Sequence, residues 1–259
     1  MIVEIPLAGG RFTSGVVRVG DTVRRPASAA SPFIARLLNH LEASGFAGCP
    51  RHLGWDDQGR DVLTYLDGTV EPRWRRFADD QVAAAARLLR ELHDATRNPG
   101  LDVVGHSPEL AAGQPPAPAV ICHHDPAPNN AIFRDGRPVA FIDFDFAAPG
   151  DPLQDVAYLA WSWCVSSRPD RGPVADQARQ VRVVADAYRL ADRERAALPS
   201  AIVARQRRNV AFWQRRLRPG EGRDVRDRAI EVIAWTRREI AFTARHRAAF
   251  VAGLVGALS

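Results

Sequence analysis

Along the first 70 residues short apolar runs alternate with turn residues. "VEIPL", "GGRFTSG", "VVRV" and "TVRR" are punctuated by Gly and Gly-Asp, the pattern of an antiparallel meander. One helix interrupts it: "SPFIARLLNHLEASG" has a Ser-Pro start, apolar positions at Ile34, Leu37, Leu38 and Leu41, and a closing Gly45. "DVLTYL" adds a strand that ends at Asp67-Gly68. From Asp79 the apolar period becomes helical, with Val82, Ala85, Ala86, Leu89 and Leu92 on one stripe. The Pro-rich stretch 98–120 reads as loop, and two short strands, "AIF" and "VAFI", flank "RDGR", whose Asp-Gly is a strong hairpin signal. Beyond residue 151 the chain reads helical over 152–166, roughly 175–191, roughly 192–217 and 223–250, the last with Val225, Ala229, Ile233, Thr236 and Ile240 in register. The pattern predicts an α+β fold of two lobes, a small β-rich one over 1–68 and a mostly helical one over 69–259, with a ligand between them.

Composition narrows this picture. At 259 residues, 46% of them apolar, the chain can bury a substantial core. No window approaches the roughly 18 to 20 apolar residues that span a bilayer, and the N-terminus lacks a basic-then-apolar leader, so a soluble, cytoplasmic protein without a membrane partner is expected. Cys49, Cys122 and Cys164 form no CxxC pair and fit reduced, buried thiols. All 35 basic side chains are Arg, none Lys. Residues 1–159 carry 15 Arg against 20 acids, and residues 160–259 carry 20 Arg against 10. That surplus is spread along helical segments without a recognisable nucleic-acid motif, so it reads as a solvated face and disfavours nucleic acid as a partner.

Candidate chemistry concentrates in "ICHHDPAPNNAIF", residues 121–133. In an extended segment His123 and Asp125 share a side while His124 points away, which makes the adjacent His pair a poor chelate. His123, Asp125 and a distal His246 would match the two-His-one-carboxylate pattern of iron oxygenases, but that pattern belongs among many strands. A polar turn with a hydrogen-bonded core His is the plain alternative, since Asp-Pro and Pro-Asn-Asn form turns readily. Against it stands "FIDFDF": the hairpin brings Asn130 and Asp143 to one end of the sheet, two oxygen donors suited to a hard cation such as Mg²⁺. An H-x-D-x-x-x-x-N segment followed by a strand-borne Asp is what phosphoryl transfer uses. One Asp takes the proton of the attacking hydroxyl, while the Asn and the second Asp fix Mg²⁺ on nucleotide phosphates.

On these residues the chain resembles the aminoglycoside phosphotransferase and choline-kinase-like branch of the protein-kinase-like fold. That family's catalytic segment reads H-G-D-x-x-x-x-N and its metal segment I-D-x-[DE]. Here they are His123-His124-Asp125 through Asn130, and Ile142-Asp143-Phe144-Asp145, followed by "GDPLQDVAYLAW" as the family's G-D-P-x-x-D. The resemblance implies the two-lobed kinase-like fold and transfer of the ATP γ-phosphate to a hydroxyl of a small acceptor, with ATP and Mg²⁺ as cofactors. By position it implies Asp125 as catalytic base, His123 as the brace of its loop, Asn130 and Asp143 as Mg²⁺ ligands, Asp145 as a supporting or second-metal group, and Asp155 as the anchor of the catalytic loop. Gly9, Gly10 and Gly15 resemble the loop over the phosphates, and Thr64, Tyr65 and Leu66 fall where backbone meets adenine. His124 and Asn129 receive no role.

Two departures qualify the resemblance. The family's strand-borne Lys falls on Arg24, or on Arg25, and a planar guanidinium is not an ammonium. The early-helix Glu that orients this cation is absent; Glu42 and His40 are the polar residues near that helix's end. A kinase-like protein that has lost catalysis and only binds a nucleotide or metabolite is therefore the competing expectation. The basic C-terminal part points to a neutral or anionic acceptor rather than a polycationic one.

Overall fold

The computed structural model describes residues 3–7, 14–73, 75–97, 100, 120–217, 220 and 222–255. Gly9, Gly10 and nearly all of the Pro-rich stretch lie outside them. Strands β1 (Ile5–Pro6), β2 (Val17–Val19), β3 (Thr22–Arg25), β4 (His52–Trp55) and β5 (Asp61–Thr64) form one antiparallel sheet in the order β1-β2-β3-β5-β4. The meander expected around "VVRV" and "TVRR" is β2–β3. Strand β4 has no counterpart in the sequence expectation, because its register shifts between His52 and Gly54 and the shift breaks the period of two. Helix α1 (Ser31–Ala43) buries the expected Ile34, Leu37, Leu38 and Leu41, and Gly45 follows it with φ +75°.

Helix α2 (Asp79–Ala95) buries its whole predicted stripe. Strands β6 (Val120–Cys122), β7 (Ala131–Arg134), β8 (Arg137–Phe141) and β9 (Ala148–Gly150) make two antiparallel pairs, β6 with β9 and β7 with β8. The β7–β8 turn is Asp135-Gly136 with φ of 48° and 73°, the positive pair that hairpin twist demands. Then follow α3 (Pro152–Cys164), α4 (Val174–Tyr188), α5 (Asp192–Arg215), α6 (Arg223–Arg245) and α7 (Arg247–Val255). The single helix expected over 223–250 is broken at His246, and Val225 stays exposed. Its buried face runs through Ala229, Ile233, Thr236, Glu239 and Thr243, because the Glu239 carboxylate is held inside by the Ser167 N–H (3.0 Å) and hydroxyl (2.5 Å). Phe33 and Leu37 of α1, Leu89 of α2, Phe141 of β8 and Trp163 of α3 belong to one continuous apolar core. Each such side chain contributes about 1.5–3 kcal/mol of transfer free energy.

Two devices seat the polar centre on this core. The chain leaving β5 docks on β7 through reciprocal Thr69–Phe133 backbone bonds of 3.0 and 2.7 Å. Gly68 permits the approach, since at φ +141° a Cβ there would lie 2.5 Å from the Phe133 carbonyl oxygen. The second device is Asp155, fully buried in the first turn of α3. Its carboxylate accepts the backbone N–H of His123 (2.6 Å) and of His124 (2.8 Å), and His93 Nε2 lies 3.2 Å away with Nδ1 2.6 Å from the Tyr188 hydroxyl. Burial alone would raise this carboxyl, but the His93 hydrogen bond and the neighbouring imidazoles bring it down to about 2. Burial also lowers the imidazoles of His123 and His124, the latter to about 4.

These shifts set the acid limb of stability. His124 is depressed from 6.5, so its contribution is present above that value and is lost as pH falls through about 4. The Asp155 contribution is present above the usual carboxylate value of 3.8 and is lost toward about 2. Calorimetry is expected to show Tm falling from about pH 7 to about pH 4.5, with a shallower slope in His124→Gly. Asp155→Ala strands two buried N–H groups, costs about 3–5 kcal/mol and lowers Tm on the order of 10 °C at neutral pH. An unchanged Tm in Asp155→Ala would remove its role as anchor.

Candidate active site

Residues 123–130 form a loop pinned at both ends. At its start Asp155 takes the two N–H groups, which forces His124 into a left-handed turn at φ +63°. This is the position where the resembled motif has Gly, the residue that adopts this conformation without strain. The His124 carbonyl accepts from Arg205 Nη2 at 2.9 Å, so this residue, without a role in the sequence reading, is a structural corner. Further along, Trp163 Nε1 donates to the Pro126 carbonyl (2.9 Å), and Pro128–Asn130 close a 3₁₀ turn into β7.

The loop presents Asp125. Its Oδ2 accepts from Asn130 Nδ2 at 2.8 Å, while Oδ1 is buried without a hydrogen-bond partner, 3.9 Å from Arg73 Nη2. His123 sits beneath it: Nδ1 accepts the Asp125 N–H (3.3 Å), which fixes the proton on Nε2, and that N–H donates to the Ile142 carbonyl at 3.0 Å. Burial keeps this imidazole neutral. His123 thus ties the loop to the segment that carries Asp143, as a brace would. Asn129 Nδ2 donates to Asn130 Oδ1 at 2.8 Å, so Asn129 also has a task, orienting the amide beside it.

The Ile142 N–H donates to the Asn130 carbonyl (2.9 Å), and Asp143 follows in a left-handed conformation at φ +66°. Partial loss of solvent around its carboxyl, then repulsion from Asp145 and Asp125, pushes Asp143 above the usual carboxylate value, although the residue as a whole is exposed. The expected cluster of Asp125, Asn130, Asp143 and Asp145 is therefore brought together. Its hard oxygen donors, three carboxylates that Arg25 offsets only in part, fit a divalent cation of the Mg²⁺ type, which would sit on Asn130, Asp143 and Asp145. The iron pattern is not assembled, since His246 packs on Phe242 at the α6–α7 break.

The strand cation requires a correction. Alternation along β3 puts Arg24 on the face shared with its partners Val17 and Val62, and it is Arg25 that turns to the carboxylates. Arg25 is buried, donates Nη2 to Asp145, and holds Nε 3.8 Å from Asp61 Oδ2. Asp61 is its cross-strand partner on β5 and accepts the Ser31 hydroxyl at 2.6 Å. Neither polar residue near the end of α1 orients this cation: Glu42 lies 3.7 Å from Arg51, and His40 Nε2 is 2.9 Å from the Ala95 carbonyl.

The remaining expectations divide. Gly15 takes φ +79°, with Pro26 3.6 Å from where a Cβ would be, so backbone conformation rather than crowding selects it. The Tyr65 N–H is spent on the Asp21 carbonyl (2.8 Å) and its ring lies 3.7 Å under the Arg18 guanidinium; Leu66 is half-buried beside it. Asp151 is the N-cap of α3, accepting from the Leu153 N–H at 2.9 Å. Four residues escaped the sequence reading: Asp61, Arg73, Tyr158 and Arg205. Arg73 donates to the Tyr158 hydroxyl, and Arg205 lies 4.1 Å over the Tyr158 ring, so two guanidiniums flank one phenol beside Asp125. Strand register carried a signal for Asp61; the other three arrive from distant segments that no local motif encodes. A buried trio of His93, Cys122 and Asp155 has donor atoms within 4.8 Å of one another, but it is the hydrogen-bonded junction described above, with the Cys122 thiol raised by burial and directed at the Asp151 carbonyl (3.5 Å).

The profile of a phosphotransferase enzyme family (APH) matches residues 106–199. The trifolitoxin immunity protein of Rhizobium leguminosarum bv. trifolii is 31% identical over 275 aligned residues, covering 97% of this chain and 98% of that protein. A homoserine kinase of Afipia carboxidovorans is 29% identical over 54% of this chain and 55% of its own length. Among solved structures, a GDP complex of aminoglycoside 2'-phosphotransferase-IIIa superposes with a TM-score of 0.60 at 17% identity, covering 92% of this chain and 93% of that one. A choline/ethanolamine kinase family protein from Mesorhizobium loti gives 0.58 at 19% identity, covering 97% and 92%. Among the described residues no helix is long and apolar enough to cross a membrane. The chain belongs to the phosphotransferase enzyme family, with the two-lobed α+β fold of the aminoglycoside phosphotransferases and choline kinases.

Proposed function

We propose that the protein transfers the γ-phosphate of ATP, bound with Mg²⁺, to a hydroxyl of a small acceptor. The observation that carries this reading is the convergence of Asp125, Asn130, Asp143 and Arg25 beside the end of β3. Asp125 Oδ1, buried and without a hydrogen bond, takes the proton of the acceptor hydroxyl as its oxygen attacks the γ-phosphorus and ADP leaves. Asn130 holds Oδ2 and so aims the free oxygen. Asn130, Asp143 and Asp145 would hold Mg²⁺, which when bound supplies neutralisation of the phosphate charge. Arg25 moves from Asp145 to the phosphates, steered by Asp61 in place of the missing helix Glu. The Lys and Glu absent from the sequence are thus replaced by a cross-strand pair, which favours an active enzyme over a silent binder.

The full-length likeness to a protein named for trifolitoxin immunity favours a second reading of purpose: the acceptor is a toxin, inactivated by phosphorylation. The partial likeness to homoserine kinases makes homoserine the first small acceptor to try.

Asp125→Asn is expected to lower turnover by about 10²–10⁴-fold while ATP–Mg²⁺ still raises Tm. Full activity of Asp125→Asn with the true acceptor would refute the assignment. Arg25→Ala and Asp61→Asn are both expected to raise KM for ATP about tenfold or more, with Arg24→Ala near wild type in steady-state kinetics. Equal effects of Arg24→Ala and Arg25→Ala would undo the register argument. In a trifolitoxin-sensitive strain, expression of the wild type is expected to raise the inhibitory concentration and expression of Asp125→Asn to leave it unchanged. Protection by the variant would mean sequestration rather than phosphorylation.

A further inference from the structure

Two arginines meet the acidic cluster, and they arrive from different parts of the chain. Arg25 of β3 donates to Asp145. Arg73 comes from the segment between β5 and α2, and its Nη2 lies 3.9 Å from Asp125 Oδ1. Two of the three clustered carboxylates therefore have a guanidinium of their own, and Asp143 is the one raised above the usual carboxylate value. The side chains of Arg73 and Asp125 are only 14% and 24% exposed, so their attraction is screened less than that of a surface pair.

The place of Arg73 is set by its neighbours in the chain. The Thr69–Phe133 backbone bonds dock this segment on β7, the Arg75 N–H closes a turn on the Pro72 carbonyl (3.1 Å), and Phe77 is buried against Phe133 and Trp163. Helix α4 clamps it from the other side: Gln180 Nε2 donates to the Phe77 carbonyl at 2.7 Å, and Asp176 Oδ2 accepts from Arg76 Nη2 at 2.8 Å. From this fixed base Arg73 Nη2 donates to the Tyr158 hydroxyl of α3 while facing Asp125. Burial, with the Asp125 charge adding to it, pushes the phenol up to about 12, so it stays a neutral acceptor for that bond. Burial alone would lower the Arg73 guanidinium, yet Tyr158 and Asp125 raise it above its ordinary value. Asn130 holds Asp125 by Oδ2 only, and Oδ1 has no hydrogen bond. The charge of Arg73 is what opposes rotation at that free end.

Resting on the phosphotransferase reading, we propose that Arg73 is a positioning residue for the transfer: it acts through Asp125, keeping Oδ1 at the angle from which it meets the acceptor hydroxyl. That angle is thereby tied to the segment that leaves β5.

ADP release from ATP–Mg²⁺ by the full chain is followed with homoserine as the added acceptor and water as the default one. Arg73→Gln is expected to lower kcat about 10–10²-fold with KM for ATP within about twofold of wild type, the reverse of the KM effect expected at Arg25. Arg73→Lys is expected to recover part of kcat, since the charge returns without the planar fork. In the Asp125→Asn background Arg73→Gln is expected to cost nothing further in kcat, because it has no other route to the reaction. Thermal unfolding repeats this cycle without turnover: Arg73→Gln lowers Tm by about 3 °C in the wild type and by less than half of that in Asp125→Asn. The same fold loss of kcat in both backgrounds, an unchanged kcat in Arg73→Gln, or additive Tm losses each overturn the inference, even where Asp125→Asn behaves as a base variant should. A wild type that releases no ADP while the Tm coupling persists would instead sink the proposed activity, and the positioning role with it, leaving a structural ion pair.

Discussion

The polar cluster at the centre of this protein hangs on one buried carboxylate. Asp155 accepts two consecutive N–H groups at the foot of the loop 123–130, and those bonds convert a strand end into a corner that a left-handed residue turns. From that corner follow the aim of Asp125, the seat of His123 under it, and the contact from His123 to the Ile142 carbonyl that brings Asp143 alongside. The carboxylate is itself placed by α3 and steadied by His93 and Tyr188, so the apolar packing of α2, α3 and α4 is transmitted to the loop through hydrogen bonds rather than contact area. A buried network of this kind is costly when incomplete and rigid when complete.

With no lysine in the chain, the cation of β3 is an arginine. A guanidinium is wider than an ammonium and needs two acceptors in its plane to be held still. A strand neighbour can offer a carboxylate across the ladder at fixed register, and Asp61 places its charge 3.8 Å from Arg25 Nε, an ion pair rather than a hydrogen bond. Ser31, at the start of α1, holds Asp61, so the helix still contributes to positioning the cation at one remove.

Residues whose role depends on near neighbours in the chain were legible. The α2 stripe, the Asp135-Gly136 turn, the α1 face and the spacing of Asp125, Asn130 and Asp143 are all set by periods or offsets of a few residues. What escaped was set by register or by distant packing. A shift of one position along β3 exchanges Arg24 for Arg25, and only the pairing with β5 decides which faces the carboxylates. Bulged β4 had no period to detect. Glu239 looked like a solvent residue in an Arg-rich helix until Ser167 gave it a partner. Arg73, Tyr158 and Arg205 meet across long separations in the chain, beyond the reach of any local pattern.

The contact between Arg25 and Asp145 has a consequence for traffic into the cleft. With that guanidinium already claimed, a visitor first senses the cluster of Asp125, Asp143 and Asp145, a field hostile to a bare polyphosphate. Under the proposed activity, a nucleotide that travels with its own divalent counterion carries the charge that would compete for Asp145 and free the arginine. On the proposed activity, the charge of this cluster favours the metal-bound nucleotide over the free polyanion ahead of any shape recognition.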